Sequence, residues 1–196
     1  MTDSKRVEPI NSLFIAGLEF QETLEKRNWP FCFIGGLAVL RWGEIRMTQD
    51  IDLCLLCGFG NEEKYIKTLL KKFKSRITNA EDFAFTNRVL LLYTSNRVSI
   101  DISLSGIPFE DQMIKRATAF SFHTDCKLIT CSAEDLIILK SFANRTKDWM
   151  DVEGIILRQG KSLDTHYIME QLAPLCEIKG TPDIVIELQD LIKRAI

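Results

Sequence analysis

Between residues 11 and 28, Leu13, Phe14, Leu18 and Leu24 fall on one side of a 3.6-residue repeat and the charges on the other. That predicts an amphipathic helix with Asn11 or Ser12 as N-cap, stopped by Trp29-Pro30. The four apolar residues 31–34 read as a short buried strand, and Gly35-Gly36 turns the chain into a second helix beginning near Leu37. Residues 44–56 read as the next strand, and 61–76 as an amphipathic helix with Tyr65, Ile66, Leu69, Leu70 and Phe73 inward. Residues 83–93 and 97–104 are strands on either side of a polar Thr-Ser-Asn turn, which predicts a hairpin. A short helix over 109–117 precedes a strand pair, 118–123 and 127–131, around Thr124-Asp125. After Cys131 the pattern becomes helical throughout. Ser132 can cap 133–145, Asp148 can cap 149–158, and helices over 165–173 and 183–195 finish the chain. The predicted class is α+β, with a mixed β-sheet flanked by helices over 1–131 and a C-terminal helical region over 132–196.

Polar residues inside the predicted strands carry the chemistry. Side chains at i and i+2 of a strand share a face, so Asp50 and Asp52 point one way and Ile51 and Leu53 the other. Two neighbouring carboxylates repel and raise each other's pKa, a cost that a divalent cation between them offsets. Carboxylate oxygens are what Mg²⁺ prefers. In the later strand Val98, Ile100, Ile102 and Leu104 alternate with Ser99, Asp101 and Ser103, which makes Asp101 a third candidate ligand. An acid on a strand face is ordinarily only solvated. Here the Asp-Ile-Asp lies in a strongly apolar strand, follows a Gly-Gly turn and precedes a second Asp-bearing strand. Glycines at a helix start leave backbone N–H groups open to phosphate. Arg46 and Thr48 have the parity of Asp50 and Asp52, so a strand beginning at 44 lines all four on one surface.

Composition narrows the class. With 46% hydrophobic and 27% charged residues the chain is an ordinary globular protein, neither disordered nor fibrous. A net charge of −2 gives no global footprint for nucleic acid. Only the basic stretch 64–76 is a local candidate for RNA. Residues 1–12 lack an apolar leader, and no run approaches the ~18 apolar residues of a membrane span, so the expected location is cytoplasmic. Six cysteines are then expected to be free thiols. Cys54 and Cys57 form a C-x-x-C at a strand end, without a second pair to complete a zinc set. The chain has only two histidines, His123 and His166, which argues against most histidine-based triads.

The stretch IGGLAVLRWGEIRMTQDIDLCL, residues 34–55, resembles the signature of the polymerase-beta-like nucleotidyltransferase superfamily: an apolar residue, Gly-Gly or Gly-Ser, a spacer, then Asp-apolar-Asp. The resemblance implies the mixed sheet of that superfamily and Mg²⁺, with Mn²⁺ as an alternative, on Asp50, Asp52 and Asp101. It implies a triphosphate on Gly35 and Gly36 with contacts from Arg46, Thr48 and Lys140. An NMP would pass from an NTP to a hydroxyl of tRNA or another RNA, of a protein, or of a small molecule such as an aminoglycoside. RMTQDIDL together with residues 132–156 is similar to the AbiEii-type and MenT-type toxins. That narrower likeness implies functional roles for Lys140 and for Asp148 or Asp151, and an antitoxin partner. The residues alone leave alternatives: Lys140 can snorkel to solvent, either aspartate can serve the helix start, and Trp42, Tyr93 and Trp149 can pack rather than stack on a base. The rival to an enzyme is a non-catalytic nucleotide-binding or antitoxin-like module of the same fold.

Overall fold

The computed structural model describes residues 11–196, so the expected lack of an apolar leader in residues 1–10 lies outside it. The strands are β1 (Phe31–Ile34), β2 (Asp50–Leu56), β3 (Lys74–Ser75), β4 (Val89–Tyr93), β5 (Ser99–Ser105), β6 (Thr118–His123) and β7 (Cys126–Thr130). They form one seven-stranded mixed sheet in the order β3-β4-β5-β2-β1-β7-β6. β2 runs antiparallel to β1 and parallel to β5, and β1 is parallel to β7. The helices are α1 (Ser12–Glu25), α2 (Gly35–Trp42), α3 (Glu62–Lys72), α4 (Ala80–Asn87), α5 (Pro108–Arg116), α6 (Ala133–Ala143), α7 (Thr146–Gln159), α8 (Thr165–Lys179) and α9 (Asp183–Ala195). None is long and apolar enough to cross a membrane.

Strand alternation divides the core. Ile51, Leu53, Leu55, Leu90, Leu92, Ile100 and Ile102 face one way and are buried with Phe20, Ile66, Leu69 and Ala84 of α1, α3 and α4. Fully burying side chains of this size contributes about 1.5–3 kcal/mol each. On the other face Cys32 and Cys54 pack with Val39, Met113, Leu136, Ile137 and Ile155, so the C-terminal helices share a core with β1, β2 and α2. All six cysteines are free and buried. The predicted class, the two hairpins and the C-terminal helices are present.

Four of the differences from the sequence reading bear on the site and the elements around it. β2 starts at Asp50 rather than Glu44, because no neighbouring strand extends farther: β1 has already turned into α2 at Gly35, and β5 begins at Ser99 opposite Asp50. Arg46 and Thr48 therefore sit on an irregular segment, and strand parity does not place them. The basic helix ends at Lys72, where Phe73 turns into the core and its ring lies 4.7 Å from that of Phe20. Residues 83–93 are not one strand but the end of α4 and then β4, separated by Arg88 in the left-handed region at φ 54°. The Arg88 guanidinium is fixed there by Glu62 and by the carbonyl of Leu104. Finally, Asp148 is not a cap: α7 begins at Thr146, and the Asp148 carboxylate is used elsewhere.

Candidate active site

The Gly-Gly turn is dictated by what lies against it. Gly35 has φ 57°, and a Cβ there would come within 1.8 Å of Asp52 Oδ2; a Cβ on Gly36 would come within 2.3 Å of Thr48 Oγ1. The turn thus lets α2 start directly over the carboxylate, where the Gly36 backbone N–H favours the charged form of Asp52. Gly35→Ala combines left-handed strain of about 1 kcal/mol with this collision. The expected result is a lower thermal midpoint and turnover about a hundredfold down, the scale of a ~1 Å misplacement in a site. Wild-type turnover in that variant would show that the close approach is dispensable.

Asp52 is the hub of the acidic wall. It pairs in register with Ile34 on one side and Asp101 on the other, while Asp50 pairs with Ser99. Thr48 donates its hydroxyl to Asp50 Oδ1 at 3.2 Å. Burial, followed by the charges of Asp50 and Asp101, pushes the Asp52 carboxyl above the usual range against the pull of the Gly36 bond and Lys140. Asp101 is also pushed up, first by burial and also by Asp50, although the Arg76 guanidinium bonds to its Oδ1 and opposes the shift. Among the described residues no three His, Cys, Asp or Glu side chains converge closely enough to hold a metal ion.

The opposite wall comes from α6, α7 and the segment before β2. Lys140 Nζ lies 3.1 Å from Asp148 Oδ1 and 2.7 Å from Asp151 Oδ2, with only 8% of its side chain exposed. It therefore does not snorkel. Arg46 grips Asp151 with two bonds, Nε to Oδ1 at 2.7 Å and Nη2 to Oδ2 at 2.9 Å, and Arg145 holds both oxygens of Asp148. The result is an alternating chain, Arg46–Asp151–Lys140–Asp148–Arg145, with one positive charge in excess. Burial raises both aspartates, but bonds from Arg145 and Lys140 to Asp148, and from Arg46 and Lys140 to Asp151, outweigh it and hold both carboxyls below the usual range.

A cleft of about 340 Å³ separates the walls and is lined by Gly35, Gly36, Thr48, the three carboxylates, Lys140, Arg145 and Lys147. The structure thus brings Gly35, Gly36, Arg46, Thr48, Asp50, Asp52, Asp101, Lys140 and Asp148 around one opening, with Asp151 behind it. Arg76 and Arg145 were not singled out as site residues from the sequence. A larger hollow, about 670 Å³, lies against Glu19, Lys72, Lys74, Tyr93 and Arg97. Its one carboxylate, Glu19, accepts from the backbone N–H and hydroxyl of Ser95, whereas the smaller cleft sets three carboxylates against lysine and arginine. Trp42 donates to the Cys131 carbonyl and Trp149 to Asn144, each with its ring packed against the second core, whereas Tyr93 lines the larger hollow.

Solved structures share the fold at low identity. The antibiotic-resistance factor ANT(2″)-Ia in solution superposes with a TM-score of 0.57 at 16% identity, over 85% of this chain and 92% of that one. The same factor in complex with adenylyl-2″-tobramycin gives 0.54 at 16% identity, over 85% and 98%. No curated protein sequence matches the chain at a significant level. The sequence model of one family spans almost the whole described chain, residues 12–193, and the protein belongs to that family, a nucleotidyltransferase family of otherwise unknown function, DUF6036.

Proposed function

We propose that this nucleotidyltransferase moves an NMP from a Mg²⁺-bound NTP to an acceptor hydroxyl and releases pyrophosphate. One observation carries the reading: three carboxylates on adjacent strands face a cation-rich wall across a cleft floored by a Gly-Gly turn. The carboxylates suit a divalent cation, because hard oxygen donors set side by side, with Asp52 pushed up by burial and then by its neighbours' charge, are relieved by one. Asp50 and Asp52 would hold it, with Asp101 as the third ligand. Bound there, the metal would neutralise charge on the phosphates and favour the attacking oxygen.

The chain's own groups do the rest. The turn at Gly35-Gly36, packed on Asp52 and Thr48, floors the cleft in which the triphosphate would sit. The excess positive charge of the Arg46–Asp151–Lys140–Asp148–Arg145 chain, with Lys147 at its mouth, attracts the triphosphate. Asp101, its carboxyl raised by burial, is suited to take the acceptor's proton as the oxygen bonds to the α-phosphorus and pyrophosphate leaves. We assign residues 1–131 as the catalytic core and 132–196 as the helical region that brings Lys140 and Asp148 to it.

A small hydroxyl-bearing acceptor is supported by the fold shared with ANT(2″)-Ia, which has been captured with adenylyl-2″-tobramycin. RNA is the second reading. Residues 64–76 favour it less than their composition implies, because Lys67 pairs with Glu63 and Glu81 and Lys72 donates to Thr23. What favours RNA is the hollow with Lys72, Lys74 and Arg97 beside Tyr93, whose register partner Ser99 pairs with Asp50. The toxin subtype and an antitoxin partner rest on the likeness of residues 46–53 and 132–156, and growth arrest on induced expression tests them. Six free thiols suit a reducing cytoplasm.

The deciding assay is each labelled NTP with Mg²⁺ and either an aminoglycoside panel or total RNA, read as labelled product and pyrophosphate. Calorimetry supplies the binding arm: NTP affinity should fall about tenfold or more in EDTA, because metal and phosphates complete each other's coordination. Equal affinity with and without Mg²⁺ would rule out metal on Asp50 and Asp52.

A further inference from the structure

One row of same-facing residues crosses the sheet: Arg76, Leu91, Asp101, Asp52, Ile34. Register sets it. Asp52 pairs with Ile34 and with Asp101, and Asp101 pairs with Leu91 of β4. Lys74 pairs with Tyr93 and Ser75 with Leu92, and the next residue, Arg76, donates its backbone N–H to the Leu91 carbonyl at 3.0 Å. Alternation therefore turns Ser75 away from the acidic face and Arg76 onto it. Ser75 Oγ accepts from the Ile77 N–H at 3.0 Å and donates to its carbonyl at 2.7 Å, which fixes the chain just beyond. From that position the guanidinium crosses Leu91 and bonds to Asp101 Oδ1.

We infer that Arg76 is the resident counter-ion of Asp101 in the nucleotide-free protein and must yield that carboxylate before a metal can use it, so that cation binding depends on nucleotide. The inference rests on the proposed metal-bound nucleotide. An oxygen lone pair aimed at a guanidinium is not free for a metal, and the guanidinium's charge opposes an approaching dication. A nucleotide's phosphates bring both the missing oxygen ligands and the negative charge that offsets Arg76. Arg76 is thus a positioning residue that acts through Asp101.

The test is Mn²⁺ titration of the whole chain, followed by electron paramagnetic resonance, with and without a non-hydrolysable NTP analogue. Arg76→Gln should bind Mn²⁺ alone about tenfold tighter, the scale of one partly exposed charge pair, whereas Arg76→Lys should stay near wild type. Adding Asp101→Asn to Arg76→Gln should cancel the gain. With the analogue present, wild type and Arg76→Gln should converge. A merely structural arginine cannot produce tighter metal binding on removal. If Arg76→Gln does not fold, Asp101→Asn alone decides: it should leave the nucleotide-free Mn²⁺ affinity nearly unchanged, because Asp101 is already occupied. Unchanged or weaker Mn²⁺ affinity in folded Arg76→Gln, or a marked loss in Asp101→Asn, overturns the inference while normal Mn²⁺–analogue binding leaves the proposed function standing. Failure of the wild type to bind the Mn²⁺–analogue complex would overturn both.

Discussion

Lys140→Met should lower the unfolding free energy by about 3 kcal/mol, the low end of the cost of removing one partner from a buried ion pair. Lys140 is the shared cation of two aspartates, and the side chain of Asp148 is fully buried. Without it Asp148 retains Arg145 and Asp151 retains Arg46, both on more exposed arginines, which keeps the loss at that lower end. The pH dependence is specific. Both aspartates have folded pKa values below their unfolded ones, so their contribution is complete above the unfolded value near about 3.9 and is lost as pH falls through the depressed values. Removing Lys140 lets those values rise, so the variant's acid limb moves to higher pH. Below it the gap to wild type closes, because protonated acids no longer miss the cation. Urea unfolding at about pH 7 and about pH 3 measures both. Equal stability near neutrality would show that the alternating chain is not structural.

The network also marks the limit of sequence reading. Asp50, Asp52 and Asp101 were legible because a period of two writes itself into local alternation, and Gly35-Gly36 because turns punctuate locally. Arg46 and Asp151 stand 105 positions apart, and Arg76 and Asp101 stand 25 apart. Nothing in a single sequence links such partners, since their meeting depends on how α7 and β3 dock on the sheet. Lys140 was found as a charge on an apolar helix face, yet its surroundings were not legible: the same spacing allows a solvent-seeking lysine or one buried between two acids. The α4 region failed for a different reason. Phe83-Ala84-Phe85 reads as alternation, but Ala84 is the residue buried against the core while Phe85 is exposed, and Arg88 ends the helix without a glycine to announce it.

Asp52→Asn should abolish nearly all turnover, by about a thousandfold or more, while leaving the metal-free protein folded. Asp52 is the acid closest to the glycine turn and the register neighbour of Asp101, so no other carboxylate can take its place. Asp50→Asn and Asp101→Asn should each cost most of the activity, and combining them with Asp52→Asn should add little, because groups that act as one unit are not additive. Stability should move the other way. The folded pKa of Asp52 is raised by burial and by Asp50 and Asp101, so the native state holds its proton more tightly and stability declines as pH rises through the window from the unfolded value to the raised one. Above that window the ionised carboxylate is a net cost to the apo fold, and an amide of the same shape relieves it. The thermal midpoint of Asp52→Asn without metal should therefore equal or exceed wild type near neutral pH, with the difference vanishing in acid. Asp82, exposed in the first turn of α4 and away from the cleft, is the control, and Asp82→Asn should keep wild-type turnover. Retained turnover in Asp52→Asn, or a clear fall in its metal-free midpoint while Asp82→Asn is unaffected, would make the carboxylate a structural group and leave the cleft without its catalytic centre.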